Sequence, residues 1–225
     1  MLRFISISSA FLPIVFFVAF CLRKSHRELW VIFFYTLVSS SIDLIQSVTP
    51  WGREHNFELF AILTILEYTL FTYFYYLIIK GRLIKKIITF CAICTIFFLI
   101  AIFLKSKKTN FDSISASIES VTIIILSIIY FFEQINQQQE NFIYSSANFW
   151  IVLAIMVYLS GTLFLFIMAR NLPEKELEKY WVINNVSNVV TNIIFCVAFL
   201  VNRFASPNPS AEKHYMDYNN IPENP

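Results

Sequence analysis

Three carboxylates, Asp43, Glu67 and Glu119, lie inside long apolar runs of a 225-residue chain. An ionisable group in hydrocarbon costs at least about 2.5 to 3.5 kcal/mol, so each of these requires a partner, a wet cavity or a role in binding. Their polar neighbours recur at the helical angle of about 100° per residue. Thr36, Ser39, Ser40, Gln46 and Ser47 share a face with Asp43; Thr64, Tyr68, Phe71 and Tyr75 share one with Glu67. Ser115, Thr122 and Tyr130 align with Glu119. A fourth stripe carries Trp181, Asn185, Asn188 and Asn192, with Asn184 and Thr191 at its edge, and Tyr158, Ser160, Gly161 and Thr162 form a further cluster. Carboxylates supply charge or a proton, amides orient a ligand and aromatic rings wall it in. The candidate ligand-binding set is therefore Asp43, Glu67, Tyr68, Tyr75, Glu119, Tyr158, Asn185, Asn188 and Asn192.

The elements that must position these residues follow from composition. Charged residues make up 14% of the chain and apolar ones 57%, with a mean hydropathy of +0.64, whereas a soluble domain carries about 25% charged residues. Crossing the hydrocarbon takes about 20 apolar residues at 1.5 Å each. Seven stretches qualify, roughly 4–22, 29–48, 57–79, 83–104, 114–132, 148–169 and 181–203. Unbroken runs of this length are helices, because a lipid-facing strand alternates and is about half as long. The expected fold is an all-α, seven-transmembrane-helix bundle over residues 1–204. The first run follows Arg3 and contains small residues at Ser8, Ser9 and Ala10, but it continues to Leu22 and is read as a span, not a signal peptide. Residues 205–225 are polar and rich in Pro and Asn, which implies a disordered tail with no catalytic or signalling domain.

Orientation should follow Lys and Arg. Of the 17 basic residues, Arg23, Lys24, Arg27, Lys80, Arg82, Lys85, Lys86, Arg203 and Lys213 fall on one face, and Arg3, Arg53, Lys105, Lys107, Lys108, Arg170, Lys175 and Lys179 on the other. The split is nearly even. The basic flank of the first helix and the dense Lys80–Lys86 cluster favour an external N-terminus and a cytoplasmic C-terminus in a bacterial inner membrane. Counted from each span's midpoint, Glu67 and Asn192 sit near the bilayer centre. Asp43, Glu119 and Asn188 lie about 6 Å towards the face bearing the second, fourth and sixth loops. This places a polar cavity open to one face and closed by apolar packing at the other. Two readings of the asparagine face stand together: a binding surface, and interhelical hydrogen bonding worth about 0.6 kcal/mol per contact.

Several classes are excluded. A net charge of +2 with scattered basic clusters does not suit nucleic acid, and 3 Gly residues leave no phosphate-cradling loop. Cys91 and Cys94 form a C-x-x-C without a second Cys or His pair, and His26, His55 and His214 fall in loops or the tail, so neither a metal site nor a cofactor is expected. The last span lacks a Schiff-base lysine, no span holds histidines for an intramembrane zinc hydrolase, and a rhomboid-like Ser–His pair is missing.

The segments Ile65–Phe71, Phe149–Trp150, Tyr158–Phe166 and Trp181 with Asn185, Asn188 and Asn192 resemble a broad group of uncharacterised bacterial seven-helix membrane proteins. The resemblance extends over nearly all of residues 1–204. It implies a ligand-sensing input for a separate signalling partner in the cytoplasm or membrane, in the style of modules that serve histidine kinases. A sensory or ligand-binding module surrounded by lipid is thus the first expectation, and a proton- or cation-coupled small-solute transporter the second. An enzyme has least support, since nothing marks a nucleophile.

Overall fold

The computed structural model describes residues 2–22, 26–105, 113–136, 143–169 and 174–204. Residues 205–225, expected to form the tail, lie outside them. Helices α1 (Leu2–Ser9), α2 (Phe11–Phe20), α3 (Arg27–Val48), α4 (Pro50–Glu54), α5 (Asn56–Ile78), α6 (Arg82–Lys105), α7 (Ser113–Asn136), α8 (Ala147–Ala169) and α9 (Glu174–Phe204) account for nearly all of the described residues. Seven segments are long and apolar enough to cross a membrane: α1 and α2 together, and α3, α5, α6, α7, α8 and α9 singly. The protein is a multi-pass membrane protein built as an all-α seven-helix bundle.

The first and last spans differ most from expectation, and α7 runs on to Asn136, past the expected end at 132. The first is not one continuous helix from residue 4 to 22 but two segments meeting at Ala10. Pro13 carries no N–H and its ring crowds the carbonyl four residues back, at Ser9, which interrupts the ladder there. Neighbouring polar side chains then serve the disturbed turn. The Ser40 hydroxyl of α3 lies 3.0 Å from the Ala10 carbonyl oxygen and 2.6 Å from that of Thr36. The last helix starts at Glu174, not at residue 181. Its first turns, Glu174-Lys175-Glu176-Leu177-Glu178-Lys179, combine good helix formers with acidic residues at the positive end of the dipole, so helix extends beyond the apolar run.

The spans pack as a ring in which α9 lies on α1 and α2, α2 on α3, α3 on α5, α5 on α7, α7 on α8 and α8 on α9. Helix α6 packs on α5 and is the least buried span. Its outer face, with Phe90, Phe97 and Leu104, is exposed as a lipid-facing surface requires. At one end of the bundle a core of aromatic side chains closes the ring: Phe17 stacks on Phe33 with centroids 4.4 Å apart and meets Phe199 edge-on at 5.4 Å. At that end Tyr75 and Ser127 share a 2.6 Å hydrogen bond between α5 and α7. The Glu133 carboxylate, at the end of α7, accepts the backbone N–H groups of Lys80 and Gly81 just before α6. It supplies the acceptor that a helix start otherwise lacks.

The α8–α9 pairing is the most extensive in the bundle. Without a hydrophobic force between helices in lipid, small residues at the seam allow the close approach that dispersion rewards. Gly161 sits directly against Ser187, so that a Cβ on Gly161 would collide with the Ser187 hydroxyl. The Thr191 hydroxyl is 3.3 Å from the Ala154 carbonyl oxygen on the same seam. Replacing Gly161 by Leu should lower the stability of the purified bundle by about 1 to 3 kcal/mol in a detergent-unfolding titration, because it overpacks this contact. Gly161→Ala should cost less, since rotation of one serine hydroxyl relieves the clash.

Candidate functional site

The centre of the ring is occupied by one hydrogen bond between ionisable side chains. The Tyr35 hydroxyl of α3 donates to Glu67 Oε1 of α5 over 3.1 Å, and both residues are buried. Phe71 packs on the Tyr35 ring at 4.5 Å and Phe195 approaches it edge-on at 6.3 Å, which fixes the hydroxyl's direction. Glu67 is at the middle of α5, as its position in the span requires.

Small polar chambers lie on either side of this bond. The inner one, about 20 Å³, is lined by Glu67 and Thr64 from α5, Ala116, Glu119 and Ser120 from α7, and Tyr158 from α8, with Phe60 and Phe166 as apolar walls. Glu119 is 3% exposed, and its Oε1 has no hydrogen-bond partner among the described residues. Among the described residues no Lys, Arg or His lines this chamber. The Thr64 and Ser120 hydroxyls bond to the carbonyls of Phe60 and Ala116 in their own helices. Their lone pairs remain to face the chamber.

The outer chamber, about 10 Å³, lies between α1, α3 and α9 and is lined by Ser6, Tyr35, Thr36, Ser39, Ser40, Asp43, Asn188, Thr191 and Asn192. Asp43 is only partly buried, and Arg3 at the start of α1 is near enough to act on it electrostatically. On α3, Tyr35, Ser39 and Asp43 stand at successive intervals of four residues, which puts them in one row. Tyr35 thus lines the outer chamber, and its hydroxyl bonds to Glu67, which lines the inner one.

The candidate residues accordingly separate into groups. Glu67, Glu119 and Tyr158 share the inner chamber; Asp43, Asn188 and Asn192 share the outer one. Tyr68 is buried but neighbours Thr95 of α6, and Tyr75 bonds to Ser127, so neither borders a chamber. Asn185 is half-buried and lines neither chamber. The Asn192 side-chain N–H donates to Ser9 Oγ at 3.0 Å, and the Ser9 hydroxyl donates to the Ser6 carbonyl at 2.7 Å. Asn192 therefore ties α9 to the kinked first span while also facing the chamber. Ser160 points outward, whereas its neighbour Thr162 is buried.

Tyr35 was the residue missing from the candidate set. It flanks the Asp43 stripe, and its spacing from Ser39 and Asp43 is the signal that marks it. Comparison with known protein families, with curated proteins and with solved structures finds no match, so the site is read from its own residues.

The two roles of the asparagine face are separable by measurement. Asn192→Ala should reduce stability by about 0.6 to 1.7 kcal/mol, the range of interhelical hydrogen bonds in membranes. Asn185→Ala, which breaks no such tie, should leave the unfolding midpoint within error of the unaltered protein.

Proposed function

We propose that this protein is a membrane-embedded binding module for a small cation, the proton included, held between Glu67 and Glu119. The observation that carries this reading is their convergence on one buried chamber whose lining contains no basic side chain. Two carboxylates removed from water and left facing each other repel, and burial penalises each charge. A bound cation removes both costs.

Chamber size favours the same ligand class. Pockets for organic ligands run to about 300 Å³ or more, whereas a water needs about 10 to 15 Å³. Chambers of about 10 and 20 Å³ fit water, a proton on water, or a compact ion. The oxygen-rich lining of carboxylates and hydroxyls suits a hard cation.

Occupation of the chamber alters the interaction between α5 and α7, and α7 also holds the α5–α6 connection through Glu133. A ligand that binds one arrangement more tightly shifts the bundle towards it. The sensory reading places the output in a separate partner at the face of that connection, assigned to the cytoplasm by the orientation favoured above. The second reading, a cation- or proton-coupled carrier, is supported by the outer chamber, which adds a polar compartment on the far side of Tyr35.

A thermal-shift titration of the purified full chain tests the binding reading. Binding to the folded state stabilises it by RT ln(1 + [L]/Kd), about 2.7 kcal/mol at a hundredfold excess over Kd. Added protons at fixed ionic strength, or added sodium at fixed pH against a choline background, should raise the melting temperature. The shift should be lost in Glu119→Gln. An equal shift in the wild type and in Glu67→Gln, Glu119→Gln and their combination contradicts the assignment.

A further inference from the structure

One hydrogen bond links a residue of the outer chamber to a residue of the inner one. Tyr35 lines the outer chamber between α1, α3 and α9, and its hydroxyl donates to the Glu67 carboxylate that lines the inner chamber between α5, α7 and α8. A hydroxyl is both donor and acceptor, so Tyr35 can accept from one chamber while donating into the other. Asp43 stands eight residues along the same helix face, about 12 Å at 1.5 Å per residue, with Ser39 midway between them. All three line one cavity with room for a water.

We propose that Tyr35 is a proton relay between Asp43 and Glu67, making the proton the ligand of the inner chamber and the Asp43 side its route of access. This deepens the preceding proposal and rests on its assignment of Glu67 and Glu119 as the binding pair. In the transfer, the Asp43 carboxylic acid releases its proton to a water beside Ser39. A new O–H bond forms from that water to Tyr35 Oη as the existing Oη–H bond breaks. The released proton bonds to Glu67 Oε1. Asp43 ends as carboxylate, Glu67 as carboxylic acid, and tyrosine and water are each neutral as before. Rotation of the Tyr35 hydroxyl restores its hydrogen bond to Glu67 for the next transfer.

Among the described residues the charged and titratable groups facing this route are few. Arg3 of the first span acts on Asp43; α3 contributes Tyr35 and Asp43, α5 contributes Glu67, α7 contributes Glu119 and α8 contributes Tyr158. Helix α9 presents the neutral amides of Asn188 and Asn192. Phe71 and Phe195 enclose the tyrosine ring.

The test is a rapid acidification of the full-length protein in lipid nanodiscs, followed by time-resolved infrared spectroscopy of the carboxylic-acid carbonyl band. Loss of intensity in Glu67→Gln assigns the band. In Tyr35→Phe the band should still form but at least about tenfold more slowly, one decade being a modest barrier change for a lost relay atom. Asp43→Asn, altered at a partly exposed position, should slow it likewise and keeps the test available if Tyr35→Phe does not fold. An unchanged rate in either folded variant overturns the relay. Absence of any band that responds to acid and disappears in Glu67→Gln overturns instead the assignment of Glu67 as a binding group.

Discussion

A carboxylate withdrawn from water must be neutralised, and in a lipid-embedded bundle there are few ways to do it. That constraint governs the centre of this protein. Glu67 receives a hydroxyl from Tyr35, whereas Glu119 has one oxygen without a partner among the described residues, none of which brings a basic side chain to the chamber they share. The surrounding helices are arranged so that hydroxyls, amides and backbone carbonyls meet at this level. The opposite end is sealed by Phe17, Phe33, Phe199 and the Tyr75–Ser127 bond.

Packing details elsewhere follow from the same scarcity of water. The kink at Ala10 brings carbonyls and hydroxyls of the first span towards Ser40 and Asn192, where they find side-chain partners in place of solvent. The Gly161–Ser187 contact lets α8 and α9 approach closely, and Tyr158 of α8 lines the inner chamber. Near the membrane boundary, the Trp150 indole N–H donates to the Tyr144 carbonyl, tying a polar turn to the start of α8. An interfacial tryptophan of this kind buries its rings while its N–H remains bonded.

Much of the fold was legible because apolar length is a strong signal in a membrane chain. The seven spans and the inward direction of Asp43, Glu67 and Glu119 follow from run length and helical angle. The break at Ala10 was harder to read, since Pro13 within an otherwise unbroken run changes backbone pairing without changing hydropathy. The early start of α9 was hidden for the opposite reason, as charged residues extend a helix without extending an apolar run. At the site, a shared stripe identifies a face but not which helix lies opposite it. Tyr68 and Tyr75 therefore shared the Glu67 stripe yet point to α6 and to Ser127, while Tyr35 was passed over although its hydroxyl meets Glu67. The expected polar cavity corresponds to two chambers, one lined by Tyr35 and the other by the Glu67 to which its hydroxyl bonds, and a stripe on one helix does not show such a pairing.

Direct interaction of Glu67 and Glu119 across one buried chamber is what distinguishes a binding pair from two independent polar residues. A double-mutant cycle measures this directly, using unfolding free energies of the wild type, Glu67→Gln, Glu119→Gln and the double variant in a single detergent at one pH. The expected result is a coupling of about 0.5 to 3 kcal/mol, the range for residues that interact directly. Additivity within about 0.3 to 0.5 kcal/mol, the behaviour of independent sites, would contradict a shared binding chamber.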